Sequence, residues 1–417
     1  MQYRAISSAL LLALLSPAAY AQVVGTPTGF AAGTTGGGSA EAAAPADIKE
    51  LAEWLSDDQE RVILIDKEFD FTGTEGTTKE TGCAPWSDQC STGAQLAING
   101  ANDWCGDKTP ADVNYDNAAL TALEVGSNKS IVGVGSKGVL KGKGLMLKNN
   151  VENIIIQNIH ITELNPQYVW GGDALTLNGC DKVWIDHNKF SKIGRQMIVS
   201  GYEAAGHVTI SNNEFDGKSD YSASCNNQHY WVWLFYGAKD WYTVQGNYLH
   251  DVSGRNPHIG TDDSQIVFHA VNNYWSNVGG HSFDVAAGCD ILVEGNVFEK
   301  VDTPFTEESA SGGSHIFNVP SGSESSCSSY LGRDCVANSV TGSGDFTKFD
   351  DEEALAGFSG LEKSIVEAKD ASTVASDVVA NAGVGKLSSS GSSSSGSGAA
   401  AGTPVSTPTP TPMKFRA

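Results

Sequence analysis

Three charged turns have residue types and settings that suit a catalytic cleft. Arg255 lies in a Gly/Pro turn between two apolar, aromatic-rich segments. Upstream, Asp173 follows two glycines, and Arg195 follows a single glycine. Loops on a rigid scaffold commonly carry catalytic residues. A lone arginine in a turn is usually an ordinary solvated cation, but these three turns fall in neighbouring repeats of one periodic pattern. The pattern therefore predicts a site.

The elements that must position these turns are short β-branched segments, each ending in Asn followed within two residues by an apolar or aromatic residue. The aligned asparagines, spaced roughly 23 to 34 residues apart, are Asn158, Asn188, Asn213, Asn247, Asn273 and Asn296. Short strands at this period, without intervening helices, indicate an all-β fold, a parallel β-helix. A β-propeller needs repeats of about 40 residues with four strands each, so it fits less well.

Charge and cysteine content limit the classes of partner. Acidic residues outnumber basic ones 49 to 26, which gives a formal net charge of −23. Such a surface repels nucleic acid and anionic membranes, so we expect neither as a partner. A neutral or esterified polymer is a better match than a polyanion. Eight cysteines without a CxxC pair favour disulfides over a metal-thiolate site in an exported chain.

Three regions differ in composition. Residues 1–21 have a basic residue, a short apolar core and an Ala-Tyr-Ala end, which predicts a secretory signal peptide; the apolar run is too short to span a bilayer. Residues 22–387 are predicted to form the β-helix domain. Residues 388–417 are Ser/Gly-rich and then Thr/Pro-rich, which is typical of a flexible tail. Asn128 begins an Asn-Lys-Ser acceptor motif and is a candidate for N-glycosylation.

Local patterns predict the main departures from the repeat. Asp47 is expected to cap an amphipathic helix over residues 47–55, and residues 61–71 to form one strand. A long loop is expected over residues 72–117, and an insertion over residues 216–230 is expected to border the binding face. Two further stretches, 352–366 and 374–384, are predicted to be capping segments.

The motifs resemble those of the fungal pectin lyases, in the pectate lyase superfamily (polysaccharide lyase family 1). The resemblance covers residues 24–387 and implies a single-stranded, right-handed parallel β-helix with long loops forming a substrate cleft. The motifs occur in the family's order and are Cys83-Ala-Pro-Trp86, Asp103-Trp-Cys105, Ser127-Asn-Lys-Ser-Ile131, Lys141-Gly-Lys-Gly-Leu145, Tyr168-Val-Trp-Gly-Gly-Asp173, Trp184-Ile-Asp-His187, Ile193-Gly-Arg-Gln196, Ser253-Gly-Arg255 and Tyr330-Leu-Gly-Arg-Asp-Cys335. The combination of Gly-Gly-Asp, Ile-Gly-Arg-Gln and Ser-Gly-Arg is specific to the pectin lyase branch.

The resemblance implies endo-acting β-elimination across α-1,4 bonds of methyl-esterified polygalacturonan, with no metal and no cofactor, by a secreted protein that we expect to be a monomer. In the family the base is an arginine, here Arg255. A guanidinium is normally protonated, so two roles stay open: a base aided by desolvation and a second cation such as Arg195, or an electrostatic stabiliser. Asp173 is expected to orient the arginines, and Arg195 to do part of the work of calcium.

Substrate contacts are implied at a set of aromatic and polar positions in the cleft. Taken alone, each tryptophan is more often a core residue, but they are concentrated in the long loops. The implied positions are Trp86, Trp104, Trp170, Tyr230, Trp231 and His258. His258 is a departure, because the family typically has Lys there. The Trp-Ile-Asp-His motif is expected to stabilise the β-helix away from the sugar.

The same resemblance implies three disulfides: Cys83–Cys105, Cys90–Cys225 and Cys327–Cys335. Cys180 and Cys289 precede strands about four coils apart. At about 4.8 Å per coil they lie on the order of 19 Å apart, whereas a disulfide needs Cα atoms within about 7 Å. Both are therefore predicted to be buried, unpaired thiols.

Three other functions remain open at this stage. A calcium-dependent pectate lyase is the nearest. A β-helix glycoside hydrolase needs two carboxylates with a Gly-His-Gly-type motif, of which Gly279-Gly280-His281 is a partial echo. A non-catalytic carbohydrate-binding β-helix would keep the aromatic residues without needing the two arginine turns together.

Overall fold

The computed structural model describes residues 22–86, 90, 93–100 and 103–387. The predicted signal peptide and the predicted tail lie outside the described residues. The domain boundaries therefore stay predictions.

The strands stack in parallel into a coil with three faces, which confirms the predicted parallel β-helix. The first face contains Ala42–Ala43, Arg61–Ile65, Lys129–Gly133, the later parts of Leu145–Gln157 and Leu175–Asp186, then Gly206–Ser211, Asp240–Gln245, Ile266–Val271, Cys289–Glu294 and His315–Phe317. The second face contains Leu123–Glu124, the early parts of Leu145–Gln157 and Leu175–Asp186, then Ile198–Ser200, Trp233–Phe235, His258–Ile259 and the end of Tyr274–Val285.

The third face contains Glu68–Asp70, Val139–Lys141, His160–Leu164, Lys189–Ile193, Glu214–Asp216, Tyr248–His250, the start of Tyr274–Val285, Val297–Phe305 and Ser339–Thr341. Its inward side chains stack in register. The Phe190 and Phe215 rings are stacked with centroids 5.1 Å apart, and those of Trp275 and Phe298 lie 4.7 Å apart. These stacks fill the interior with apolar surface, which is the main source of stability of such a coil.

Five of the six aligned asparagines form a hydrogen-bonded ladder along the coil, but the first, Asn158, is not part of it. The side-chain amide of Asn188 donates to Asn213 at 3.0 Å, and the same contact repeats along the ladder to Asn296. Asn158 lies one register position earlier, where the backbone is left-handed, and donates to the carbonyl oxygens of Gly133 and Gly135 instead. The last rung is Asn338, which accepts from Asn296 at 3.0 Å.

One end of the coil is closed by the predicted amphipathic helix, Ile48–Ser56. Asp47 accepts hydrogen bonds from the backbone N–H groups of Lys49 and Glu50, so it is the N-cap that was expected. The helix buries Leu51 and Leu55 in the same apolar cluster as the coil interior. Burial of these side chains shields the first coil from water.

Two local predictions are wrong. Residues 61–71 form two strands, Arg61–Ile65 and Glu68–Asp70, because the chain turns at a β-helix corner. The described residues within 72–117 do not form only a loop. They contribute Thr77–Cys83, Leu96–Ala97 and Pro110–Asp116 to a small sheet, completed by Tyr168–Val169. The alternation of apolar and polar residues that predicts a strand is weak in these segments.

The predicted capping segments lie along the outside of the coil and do not cap its interior. Residues Glu352–Phe358 form a 3₁₀ helix that packs on Leu292 and Phe317, which face outward from the first face. The helix Ala371–Asn381 packs on Tyr274 and Val297, outside the third face. The remaining helices are Ser328–Leu331 and the 3₁₀ turns Gly29–Ala31, Asn117–Leu120, Glu308–Ala310, Glu324–Cys327 and Glu362–Ser364. Among the described residues, no helix combines the length and apolarity that a membrane crossing requires.

A buried ionic network fastens the C-terminal segment to the coil. Glu294, which is fully buried, accepts hydrogen bonds from His269 at 2.8 Å and from Arg333 at 2.6 and 2.9 Å. Burial acts to raise the pKa of Glu294, but the hydrogen bonds and charges of His269 and Arg333 outweigh it and lower that pKa to about 2.

Candidate active site

The three charged turns lie in one stack where the third face leads into the second, with the turn of Trp231 between those of Arg195 and Arg255. The strand registers align Leu175 with Ile198 and Trp233, and Leu234 with His258. The turns that precede these strands are therefore stacked at the spacing of the coils, about 4.8 Å each. The β-helix thus brings Asp173, Arg195 and Arg255, far apart in sequence, to one edge.

Asp173 and Arg195 form an ion pair on adjacent coils. Arg195 Nη1 lies 3.2 Å from Asp173 Oδ2, while the N–H of Gln196 donates to Oδ1 at 2.7 Å. The side chain of Arg195 is 20% exposed and that of Asp173 is 22% exposed. Burial raises the pKa of Asp173, although Arg195, the Gln196 N–H group and Arg255 all favour the carboxylate. Both oxygens of the Asp173 carboxylate therefore already accept a hydrogen bond within the protein.

Arg255 is held by its backbone and by two aromatic rings. Arg255 has a left-handed backbone conformation, with a φ of 46°. Its N–H donates to His281 Nε2 at 3.3 Å. The guanidinium carbon lies 4.8 Å from the centroid of the Trp231 ring, a cation–π distance. The charge and hydrogen bond of Arg255 act to lower the pKa of Tyr230, although burial outweighs them and raises it.

The predicted aromatic residues cluster beside the two arginines. Trp104 and Trp170 meet edge to face at 6.1 Å, and Trp231 lies 6.4 Å from Trp86 and 4.8 Å from Tyr230. Arg195 covers Trp170 at 4.2 Å, as Arg255 covers Trp231. Trp86, Trp104, Trp170 and Tyr230 are half-buried, whereas Trp231 is 8% exposed. Trp231 is therefore a buried ring on which the Arg255 guanidinium packs, and the four half-buried rings form the wall of the cleft.

Disulfides fix the loops that carry these rings. The structure contains Cys83–Cys105, Cys90–Cys225 and Cys327–Cys335, the pairs implied by the resemblance. The second joins the N-terminal loop region to the 216–230 insertion. Cys180 and Cys289 are buried and unpaired, as predicted from their separation.

His258 belongs to a hydrogen-bonded chain that the sequence did not predict. Its Nε2 lies 2.7 Å from the Tyr236 hydroxyl, and its Nδ1 contacts the Asp284 carboxylate closely. Burial acts to raise the pKa of Asp284, but the hydrogen bond and charge of His258 lower it. Both ring nitrogens of His258 are therefore hydrogen-bonded within the protein. The lysine typical of the family would instead present one ammonium group at the end of its side chain.

Two more histidines position the arginines. His229 Nε2 lies 2.9 Å from the Arg195 carbonyl oxygen and 3.0 Å from that of Trp231, so this nitrogen carries a proton. Burial lowers the pKa of His229 to about 4, which keeps the ring neutral. His281, from the Gly-Gly-His echo, accepts from the Arg255 backbone instead of joining a carboxylate pair. The aromatic residues that follow His229 in the sequence are a signal for a site there. Its hydrogen bonds to the backbone carbonyls of Arg195 and Trp231 cannot be predicted from the sequence.

Other predicted positions lie elsewhere. Trp184 and Asp186 are on the outer side of the first face: Trp184 packs on Ala31, and Asp186 accepts from Ser211 and Asn212. Asn128 is exposed at a left-handed turn. Within the described part of the chain, the groups of three His/Cys/Asp/Glu side chains close enough to share a cation are Glu214/Asp216/His250 and His315/Asp351/Glu353. Neither includes Asp173.

Comparison with known proteins agrees with this architecture. A family model described as pectate lyase matches residues 3–387. "Probable pectin lyase E" of Aspergillus fumigatus is 54% identical over 386 residues, covering 92% of this chain and 100% of that protein. "Probable pectin lyase F-1" of Aspergillus terreus is 56% identical over 380 residues, covering 90% and 98%. The solved pectate lyase II of Xanthomonas campestris superposes with a TM-score of 0.53 at 20% identity, covering 86% of this chain and 98% of that one, which is a likeness of fold. The chain therefore belongs to the pectate lyase family of polysaccharide lyases.

Proposed function

We propose that this chain is a secreted, endo-acting pectin lyase that cleaves α-1,4 bonds of methyl-esterified polygalacturonan by β-elimination without calcium. The observation that carries the proposal is the stacked arrangement of Arg255 beside the Asp173–Arg195 pair, walled by half-buried aromatic rings. Relatives named probable pectin lyases, matched over nearly their full length, support the same activity.

The reaction needs a proton acceptor at C5, stabilisation of the enolate-like charge on the ester, and departure of O4. When the C5 proton leaves, its electron pair forms the C4–C5 double bond, the C4–O4 bond breaks, and O4 takes up a proton. Arg255, two coils beyond Arg195, is assigned to the C5 side, as base or as charge stabiliser. Arg195, fixed by Asp173, is assigned to the ester carbonyl. Fixed cations stabilise developing negative charge without reorganising.

Calcium independence is supported by the partners of Asp173. A calcium site needs six to eight oxygen ligands, commonly with several carboxylates. Here the carboxylate is bound by a guanidinium at 3.2 Å and a backbone N–H at 2.7 Å. The Arg195 charge repels a divalent cation and supplies positive charge in the same place. An ester carbonyl needs less neutralisation than a uronate carboxylate.

A preference for a neutral substrate is supported by the charge of the protein. The chain has a formal net charge of −23, which disfavours the approach of polygalacturonate at low ionic strength. The aromatic wall suits the apolar faces of pyranose rings and their methyl esters. Three disulfides and the signal-like residues 1–21 support secretion.

The test is to follow the ultraviolet absorbance of the unsaturated uronate product. Highly methylated pectin and polygalacturonate are compared at low salt, each with and without a chelator. We expect the kcat/KM to be at least about tenfold higher on methylated pectin, a difference of about 1.4 kcal/mol, and to be unchanged by the chelator. Activity that is lost with chelator and restored by calcium identifies a pectate lyase. Absence of the absorbance change with both polymers excludes a lyase and leaves a glycoside hydrolase or a non-catalytic binding protein.

A further inference from the structure

A groove outside the catalytic cleft opens where the second face leads into the first. It has a volume of about 460 Å³, within the range of pockets that bind small molecules. Its wall is the indole ring of Trp241, and its floor and rim include Val267, Asp290 and His315. The catalytic mechanism uses none of these residues.

The strand registers show which side of the Trp241 ring faces the groove. Trp241 pairs with His207 on one neighbouring strand and with Val267 on the other. The His207 ring lies parallel to the indole at 4.6 Å and covers one face. The groove is on the Val267 side, where the paired residue is small. One broad aromatic face therefore borders open space.

The covering on that side is slight. Lys239 is exposed, and its Nζ lies 5.4 Å from the Trp241 ring centroid. A long exposed lysine is displaced at small cost because it keeps its hydration when it moves.

The polar rim shows what kind of ligand fits. Asp290 and Gln265 line the groove and offer hydrogen-bond partners for hydroxyl groups. Beyond them, His315 is bound by Asp351 at 2.7 Å, with Glu353 at 3.5 Å. These carboxylates disfavour a polyanion. A flat aromatic face, hydroxyl-binding groups and an acidic rim together suit an uncharged pyranose.

The groove lies on the same coils as the cleft. Tyr236, near the arginines, precedes Lys239 by three residues, and Asp284 precedes Gly288 by four. Three to four residues span at most about 10 to 14 Å. One long polymer, or two neighbouring chains in a cell-wall network, can therefore contact both regions.

We propose that the Trp241 groove is a second binding site for uncharged, methyl-esterified galacturonan. It holds the polymer near the cleft without taking part in elimination. The inference rests on the proposed substrate class, and its tests distinguish the two.

The first test is kinetic. Trp241→Ala removes the stacking face, and Trp241→Phe keeps an aromatic face as the matched control. On highly methylated polymer at low concentration, Trp241→Ala should lower kcat/KM by about fivefold, while Trp241→Phe stays within about twofold of wild type. On a methyl-esterified trigalacturonate, whose three units are all held in the cleft around the cleaved bond, all three proteins should be equal. Equal loss on both substrates, or no loss on the polymer, overturns the proposal.

The second test measures binding without turnover. Affinity electrophoresis through gels containing highly methylated pectin or polygalacturonate is run in an Arg255→Ala background. Retardation by methylated pectin should weaken when Trp241→Ala is added and persist with Trp241→Phe. Equal retardation by polygalacturonate overturns the assigned ligand class. If the wild type lacks lyase activity but retardation depends on Trp241, the proposed function fails and the binding site stands.

Discussion

Replacing Arg255 by lysine or alanine separates the chemistry of this residue from its structural contacts. The fold holds Arg255 mainly through its backbone: its N–H donates to His281, and its carbonyl accepts from Trp233. Lysine and alanine adopt the left-handed backbone of this position with strain similar to that of arginine, since none of the three is glycine. Both substitutions therefore keep the turn while removing the guanidinium.

The stability cost follows from the side-chain contacts that are lost. These are the cation–π contact with Trp231 at 4.8 Å and the interaction with Tyr230. Together they are worth about 1 to 2 kcal/mol for a half-buried side chain. The catalytic loss should be larger, because a group at the reacting carbon acts on the transition state more than on the ground state. We expect kcat to fall at least about a thousandfold, or about 4 kcal/mol.

The assay is the initial rate of unsaturated uronate formation on highly methylated pectin, with thermal unfolding of the same preparations. We expect both variants to unfold cooperatively, within several degrees of wild type. Lysine keeps a charge but lacks the planar fork of the guanidinium, so we expect it to be nearly as impaired as alanine. A well-folded Arg255→Ala that retains more than about a hundredth of the wild-type kcat, a loss under ~2.7 kcal/mol, would refute the central role of Arg255.

Three further predictions follow from other contacts. Asp173→Asn keeps an acceptor for the Gln196 N–H but loses the charge that fixes its arginine partner; we expect kcat to fall about tenfold or more with little change in Tm, and an unchanged rate would contradict the orienting role. Glu294→Gln should lower the free energy of unfolding at neutral pH by about 3 to 5 kcal/mol. The pKa of Glu294 in the folded protein, about 2, lies below the ordinary 4.5, so its stabilisation is full above pH 4.5 and is lost as the pH falls toward 2. Denaturant titrations of both proteins at several pH values should therefore converge in acid, and a constant difference contradicts the assignment. Alkylation of the unfolded, unreduced protein should label Cys180 and Cys289 alone, as read by peptide mapping.

The fold was predictable because one pattern repeats many times. Each coil needs an inward apolar face and a polar corner, and the corner asparagines such as Asn213 and Asn247 must hydrogen-bond the next coil. Errors in one copy do not change the prediction. Asn158 shows this: it was placed one position out of register, yet the architecture was unaffected.

The site was only partly predictable. The sequence singled out Asp173, Arg195 and Arg255 because their Gly-rich turns fall in neighbouring repeats and match motifs of the resembling family; their catalytic roles stay predictions. The supporting contacts were not visible, because they use backbone atoms: His229 binds the Arg195 carbonyl, and His281 accepts from the Arg255 N–H. The strands within residues 72–117 were missed for a related reason. Thr77–Cys83 pairs mainly through its backbone with Pro110–Asp116, and its exposed polar side chains carry little periodicity.

The register of the coils also explains how an acidic protein can maintain a cationic site. Arg195 and Arg255 both act on the Asp173 carboxylate, so two positive charges share one negative charge. Each guanidinium rests on an indole ring, Trp170 or Trp231, which shields it from water on one side. Surface carboxylates farther away than about 8 to 10 Å are screened at physiological ionic strength, whereas the fixed arginines are not. A neutral ester can therefore approach without long-range repulsion and meet localised positive charge only at the stacked turns. A polyuronate experiences the repulsion of the whole surface first, and for that reason we expect the two polymers to become less distinguishable as salt is raised.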